Sequence, residues 1–195
     1  LMRSQDEGRS WSAPGVVHDS GDCQAGDPCV CPHSERPQVV TDANGTWMII
    51  WTQVGIKFTY VGVQPNPDVM VARSTDGGVT WDSKVTVTST DNHSGSPRVV
   101  SVAPNTWVAA FGGLGPWFAR STDNGATWGV VQMADHTMRP SLGDRLDLAV
   151  HGDQLVCLWS SVGPYSAQTP DADVYCAGAL NSALICNLKA TKTGP

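Results

Sequence analysis

Arginine beside proline is the pattern in this chain best suited to chemistry: Arg36 precedes Pro37, Arg98 follows Pro97, and Arg139 precedes Pro140. A guanidinium presents a planar fork of donors that grips a carboxylate through two parallel hydrogen bonds, so arginines brought together would form an oxyanion clamp. Asp144, Arg145 and Asp147 make a second charged group, in a stretch that matches nothing else in the chain. Tyr60 and Tyr165, each expected in a long loop before the third strand of its unit, offer a ring face for stacking, or a nucleophile where a carboxylate lies within hydrogen-bond reach. Blander readings stand beside these. An arginine that recurs with a repeat is also a salt-bridged or solvated structural residue, and 144–147 is also a surface loop. His18, His33, His93, His136 and His151 form no close pair, and neither a nucleotide-binding glycine loop nor a nucleophile elbow occurs.

The elements that must position these residues are set by a repeated phrase. Ser4, Asp6, Gly8, Ser10 and Trp11 share the pattern S-x-D-x-G-x-[ST]-W with Ser74, Asp76, Gly78, Thr80 and Trp81 and with Ser121, Asp123, Gly125, Thr127 and Trp128, each copy following an arginine. Three matches define a repeat, which outranks local propensity. Ser and Asp side chains can bond nearby backbone N–H groups, glycine supplies positive φ, and tryptophan can close the turn over the sheet beneath. Asp6, Asp76 and Asp123 are therefore read as structural.

The phrase resembles the Asp-box, or BNR repeat, of sialidases and related β-propellers, where it caps the hairpin between the outer two strands of a blade, far from the active site. The sequence between the phrases repeats too. Arg36, Pro37, Val39 and Val40, then Asn44 to Trp47 and Trp51, lead into the second phrase; Pro97 to Val100, then Asn105, Trp107 and Phe111, lead into the third. Short β-rich runs separated by Gly, Asn, Asp and Pro fit strands, and no segment sustains a helical period. A further unit is read from Arg139, Pro140 and Leu142 through 155–159 to 173–177, after which 178–186 lacks the central glycine and the closing tryptophan.

The expected fold is thus all-β, with four-stranded antiparallel blades. Residues 1–17 are the end of one blade, 18–34 a Cys-rich insertion, 35–90 and 91–135 two blades, and 136–195 an incomplete or degenerate one. Closed propellers have about four to eight blades. A chain with about three to four is expected to be a partial propeller whose neighbours are the remaining blades of a parent chain.

Composition narrows the partners. Charged residues are 15% of the chain, against about 25% in ordinary globular proteins, and 20 Gly, 13 Pro and 8 Trp suit turns on an all-β frame. A net charge of −6 without any basic tract argues against nucleic acid as a partner. No apolar run approaches the roughly 20 residues of a helical membrane span.

Cys23, Cys29 and Cys31 fall in the insertion that stretches the first interval between phrases to 70 residues, against 47 for the second. With His33 they lack the paired short spacings of common zinc modules, so a disulfide-closed loop is expected, with no metal and no cofactor. Cys157 and Cys176 lie on neighbouring expected strands and would bridge if their register agrees, leaving Cys186 over. Disulfide use points to an extracytoplasmic setting: secreted, periplasmic or cell-surface.

In sialidases an arginine triad holds the substrate carboxylate, a tyrosine paired with a glutamate is the nucleophile, and an aspartate is the acid/base, all near the propeller axis. Arg36, Arg98, Arg139, Asp144 and Tyr165 are the substrate-binding candidates here. The family's Phe/Tyr-Arg-Ile-Pro motif is absent, and Arg36 rather than Glu35 aligns with the family's glutamate, so no catalytic residue is assigned. The resemblance implies an exo-glycoside hydrolase acting on terminal sialic acid or a related sugar of glycoconjugates. The alternative is a non-catalytic propeller that binds glycan or protein at the cell surface.

Overall fold

Along each strand, successive residues point to opposite faces, and in the computed structural model the two sets are buried against different neighbours. The structure describes residues 1–19, 33–42, 44–59, 62–88, 96–112, 116–132, 146–152, 154–162, 172–180 and 191–192. Among these residues, three antiparallel four-stranded sheets each run in chain order. The first holds β1 (His33–Thr41), β2 (Trp47–Thr59), β3 (Gly62–Ser74) and β4 (Val85–Thr88); the second β5 (Arg98–Ala103), β6 (Thr106–Phe111), β7 (Trp117–Ser121) and β8 (Gly129–Gln132). The third holds β9 (Leu146–His151), β10 (Gln154–Val162), β11 (Ala172–Leu180) and β12 (Thr191–Lys192). The first turn of each sheet contains a residue in the left-handed region, Gly45, Asn105 or Gly152, as tight hairpins between twisted strands require.

Met48, Ile50, Val69 and Val71 of the first sheet bury against Val99, Trp107, Ala109 and Phe111 of the second. The alternate residues of the second sheet, Val100, Val108, Ala110 and Phe118, meet Leu146, Leu148, Leu155, Cys157 and Trp159 of the third. The sheets therefore stack face to face in sequence, with β1 against β5 and β5 against β9. This is a sector of a β-propeller, three blades in order. Among the described residues no helix is long and apolar enough to cross a membrane.

The N-terminal segment covers part of the remaining face of the first blade. Leu1 and Gly15 exchange N–H···O bonds of 2.7 and 2.8 Å, and the Ser12 N–H donates to Arg3 O at 2.8 Å, so the segment is a short antiparallel pair. Val17 packs on the cluster of Ile49, Trp51, Met70 and Ala72. Trp11, expected to bury on a sheet, is 59% exposed, because the pair offers no broad surface beneath it.

Three other expectations change. The segment after Trp51, read as a long loop, is strand: β2 and β3 stay paired to Thr59↔Gly62, leaving Tyr60 outside the described residues. The described inner strand of the third blade is β9, whose alternating Leu146 and Leu148 fill the joint with the second blade, while Arg139 to Leu142, where that unit is expected to begin, lie outside the described residues. Gly178 to Leu180 continue β11 as strand instead of opening a turn. A bridge between Cys157 and Cys176 is excluded by register, since Cys157 opposes Ala177 and Cys176 opposes Leu158; one residue out of step reverses the face. The buried Cys157 is instead part of the core between the second and third blades.

Trp47 pairs with Ser74 and Trp107 with Ser121, so the two tryptophans are equivalent. Trp107 is wholly buried between two blades, whereas Trp47 is 36% exposed on the first blade's other face. Trp107→Ala is expected to cost about 3–5 kcal/mol, and Trp47→Ala distinctly less, as read from urea unfolding of both variants.

Candidate functional site

Two kinds of site lie at opposite ends of the blades. The repeated turns that begin at Ser74 and Ser121 share one end with the β1–β2 and β5–β6 turns, because Trp47 and Trp107, each the start or near-start of its strand, pair with those serines. The first residues of β1 lie at the other end, toward the tip of the β2–β3 hairpin, with His33 opposite Val54.

The turns are closed polar networks. Ser4, Ser74 and Ser121 Oγ donate to the Oδ1 of Asp6, Asp76 and Asp123 at 2.8, 2.8 and 2.7 Å. The same oxygens accept the N–H of Gly8, Gly78 and Gly125 at 2.7, 2.8 and 2.8 Å. Each carboxylate also accepts the backbone N–H of Ser10, Thr80 or Thr127 at 2.8, 2.9 or 2.9 Å, and each hydroxyl of those residues donates to Oδ2 at 2.6 Å. Two successive residues in each turn have positive φ, Glu7 and Gly8, Gly77 and Gly78, Asn124 and Gly125. The Trp128 indole donates to Gly125 O at 3.2 Å. Carboxylates so fully engaged hold backbone and have little capacity left for proton transfer.

The opposite end carries the unusual backbone. Arg36 has φ +55°, the one non-glycine residue at positive φ inside a described strand. Pairing steps from Glu35↔Thr52 to Gln38↔Ile50, so Arg36 and Pro37 together oppose Trp51 in a bulge. A residue before proline favours extended backbone, and a side chain held in the left-handed region costs about 1–3 kcal/mol. Such bulges re-aim side chains. Here the Arg36 guanidinium lies 3.6 Å from the Glu35 carboxylate, both partly exposed.

Next to the bulge runs a polar row that spans all three blades. Gln38, Arg98 and Asp147 are equivalent, opposite Ile50, Ala110 and Leu158. Gln38 Oε1 accepts the Val99 N–H of the next blade at 2.8 Å. Arg98 donates to Pro97 O at 2.9 Å, and its Nε lies 3.6 Å from Asp147 Oδ1 on the third blade. Amide, cation and anion thus alternate along the inner strands, a surface able to receive hydroxyls and a carboxylate.

Of the sequence candidates, Arg36 and Arg98 lie toward this end. Arg139, Asp144, Arg145 and Tyr165 lie outside the described residues, as do Cys23, Cys29 and Cys31. Asp147, assigned to a stretch without counterpart, has counterparts in Gln38 and Arg98. Gln38 was missed, and its only signal was its place two residues before the repeated Val40/Val100 position. Among the described residues no three His, Cys, Asp or Glu side chains gather closely enough to hold a metal.

No protein-family profile matches the chain, and no curated protein does. Solved structures do. The GH93 α-L-arabinofuranosidase of Fusarium graminearum, in complex with arabinobiose, superposes with a TM-score of 0.62 at 16% identity, over 98% of this chain and 57% of that one. The phage phi92 endosialidase gives 0.56 at 14% identity over 82% and 26%, and the GH32 β-fructofuranosidase of Bombyx mori 0.53 at 17% over 80% and 36%. All three neighbours are β-propeller glycoside hydrolases, and what they share with this chain is the fold. The chain spans little more than half of the first of these and about a third or less of the others.

The turn carboxylates make stability depend on acid. Hydrogen bonds from the Thr127 hydroxyl and backbone, then Ser121, hold Asp123 down to about 2 from 3.8; Ser10 and Ser4 do the same for Asp6, to about 2, and Asp76 is lowered further. A carboxylate whose pKa falls on folding favours the native state above its unfolded pKa and loses that contribution as pH drops through the folded value. Denaturation midpoints should therefore fall between about pH 4 and pH 2. Asp123→Asn should lower the midpoint at pH 6, with the gap to the parent sequence closing toward pH 2.

Proposed function

We propose that this chain supplies three adjoining blades of a glycan-recognising β-propeller, and that the parent protein is a glycoside hydrolase of the sialidase type acting on a terminal acidic sugar. The observation that carries this reading is Arg36 held in a strained bulge at the inner-strand end, beside the row of Gln38, Arg98 and Asp147. A fork of guanidinium donors suits a sugar carboxylate, and neighbouring amide and carboxylate groups suit its hydroxyls. The strain is consistent with a side chain selected for where it points and not for stability. Structural neighbours named for cleaving sugars on the same fold support the reading at the level of class.

One observation favours the second reading, a propeller that binds glycan without cleaving it. The carboxylates described at this end, Glu35 and Asp147, each lie 3.6 Å from an arginine guanidinium, an arrangement that holds the arginines in place for binding. The assay must therefore separate binding from turnover.

Titration of the chain with sialyllactose, followed by saturation-transfer NMR, is the first test. Arg36→Ala should weaken binding about 10- to 100-fold, the loss expected for a charge-assisted pair, while Asp76→Asn at the far end should leave it unchanged. Equal binding by Arg36→Ala would discard this site. Release of sialic acid by the parent protein would establish the hydrolase, and binding without release the second reading.

A further inference from the structure

The turn between β1 and β2 is longer than its counterparts. The β5–β6 turn holds only Pro104 and Asn105, and the β9–β10 connection is as short, whereas residues 42–46 separate β1 from β2. The longer turn carries Asn44, Gly45 and Thr46, which match N-x-[ST] with a residue other than proline in the middle, the acceptor pattern for an N-linked glycan. The other match in the sequence, Asn92, His93 and Ser94, has its asparagine outside the described residues.

The backbone of the turn is satisfied without either polar side chain of the pattern. Asp42 Oδ1 accepts the N–H of Asn44 at 2.8 Å and that of Thr46 at 3.0 Å. The Asp42 N–H donates to Thr46 O at 3.1 Å, and the Thr41 hydroxyl donates to the same oxygen at 3.0 Å. Neither the Asn44 side-chain amide nor the Thr46 hydroxyl makes a hydrogen bond. Backbone conformation does not require asparagine at 44 either. Asparagine is favoured in hairpin turns because it tolerates the left-handed region, and Asn105 occupies that region with φ +58°, but in the β1–β2 turn the positive φ falls on Gly45, at +103°. Asn44 is exposed, and nothing lies within 4 Å of where a Cβ on Gly45 would sit, so the tip of the turn has room for a bulky group.

We propose that Asn44 is the acceptor of an N-linked oligosaccharide, added as the chain enters an extracytoplasmic compartment. The donor is an oligosaccharide carried on a polyprenyl pyrophosphate. Asn44 Nδ2 bonds to the sugar C1 as the C1–O bond to pyrophosphate breaks, the lipid pyrophosphate leaves, and one amide proton passes to a base of the transferase. Transfer to the extended chain precedes folding, so the Thr46 hydroxyl is within the transferase's reach although Thr46 is only 8% exposed in the fold. The folded turn has only to leave the sugar in solvent. It lies at the capped end of the blade, where Thr41 pairs with Trp47, while the bulge at Arg36 lies opposite Trp51, so the glycan leaves the inner-strand end open.

The parent protein, isolated from its source and digested, should yield the peptide holding 42–46 in glycosylated form, and peptide-N-glycosidase should release the sugar and leave aspartate at 44 in tandem mass spectrometry. In the full chain secreted from a eukaryotic host, Asn44→Gln and Thr46→Val should each abolish the added mass on this peptide, and Thr46→Ser should retain it. Both losing variants should unfold near the urea midpoint of the deglycosylated parent chain, since the groups they replace make no bond in the turn. Bare Asn44 in the parent protein would overturn the proposal, as would added mass confined to Asn92 or retained by Thr46→Val. Sialyllactose binding at the inner-strand end is measured separately, so failure here leaves the sugar-binding reading standing.

Discussion

Burial of each blade on both faces is the constraint from which the rest of this structure follows. A sheet whose residues alternate between two apolar faces cannot be satisfied alone, and stability comes from joints between neighbours as in other stacked repeats. The first joint depends on a few polar groups as well. Asn124 donates its N–H to Asn105 O at 2.8 Å, accepts the Trp107 indole N–H at 2.9 Å on Oδ1, and accepts Arg73 Nη1 at 2.9 Å on its carbonyl. Arg73 also grips Asp82 through Nε and Nη2 at 3.1 and 2.8 Å. One arginine thereby fastens its own blade's turn and the turn of the next.

This accounts for the arginine before the first and second copies of the phrase, Arg3 and Arg73, and for the glycine that each lies across, Gly78 and Gly125. A Cβ at Gly125 would lie 2.5 Å from Met48 Cε and 3.4 Å from Arg73 Cδ; at Gly78 the nearest atom would be Arg3 Cδ, at 3.5 Å. The same contact therefore recurs between the N-terminal pair and the first blade, and between the first blade and the second. The phrase is a turn and a joint at once, and the positive φ that glycine tolerates lets the neighbouring arginine lie across it.

What the sequence discloses follows from how local each interaction is. The hydrogen bonds of a repeated turn span four residues or fewer, and strand alternation repeats every two, so the all-β blade frame can be read from spacing. Register is another matter. The described inner strand of the third blade is placed by Leu146 and Leu148, which fill a joint with residues about forty positions earlier. The same distance hides Gln38, whose partner Val99 is 61 residues away. Cys157 and Cys176 look like a pair in sequence, and a single residue of register separates them. Arg36 was visible as a residue type, while its left-handed backbone was not, since proline after it argues for extended structure.

The division of labour between the two ends has a physical reason. At the end with the repeated turns the serine hydroxyl and the aspartate carboxylate of each phrase are engaged by near neighbours, which makes a rigid cap that any blade can carry and that no blade can vary cheaply. At the inner-strand end the equivalent position is glutamine in one blade, arginine in the next and aspartate in the third, each tied across the joint by a single contact. A position that tolerates amide, cation and anion is not dictated by packing. It follows that specificity can be written there blade by blade while the joints stay the same.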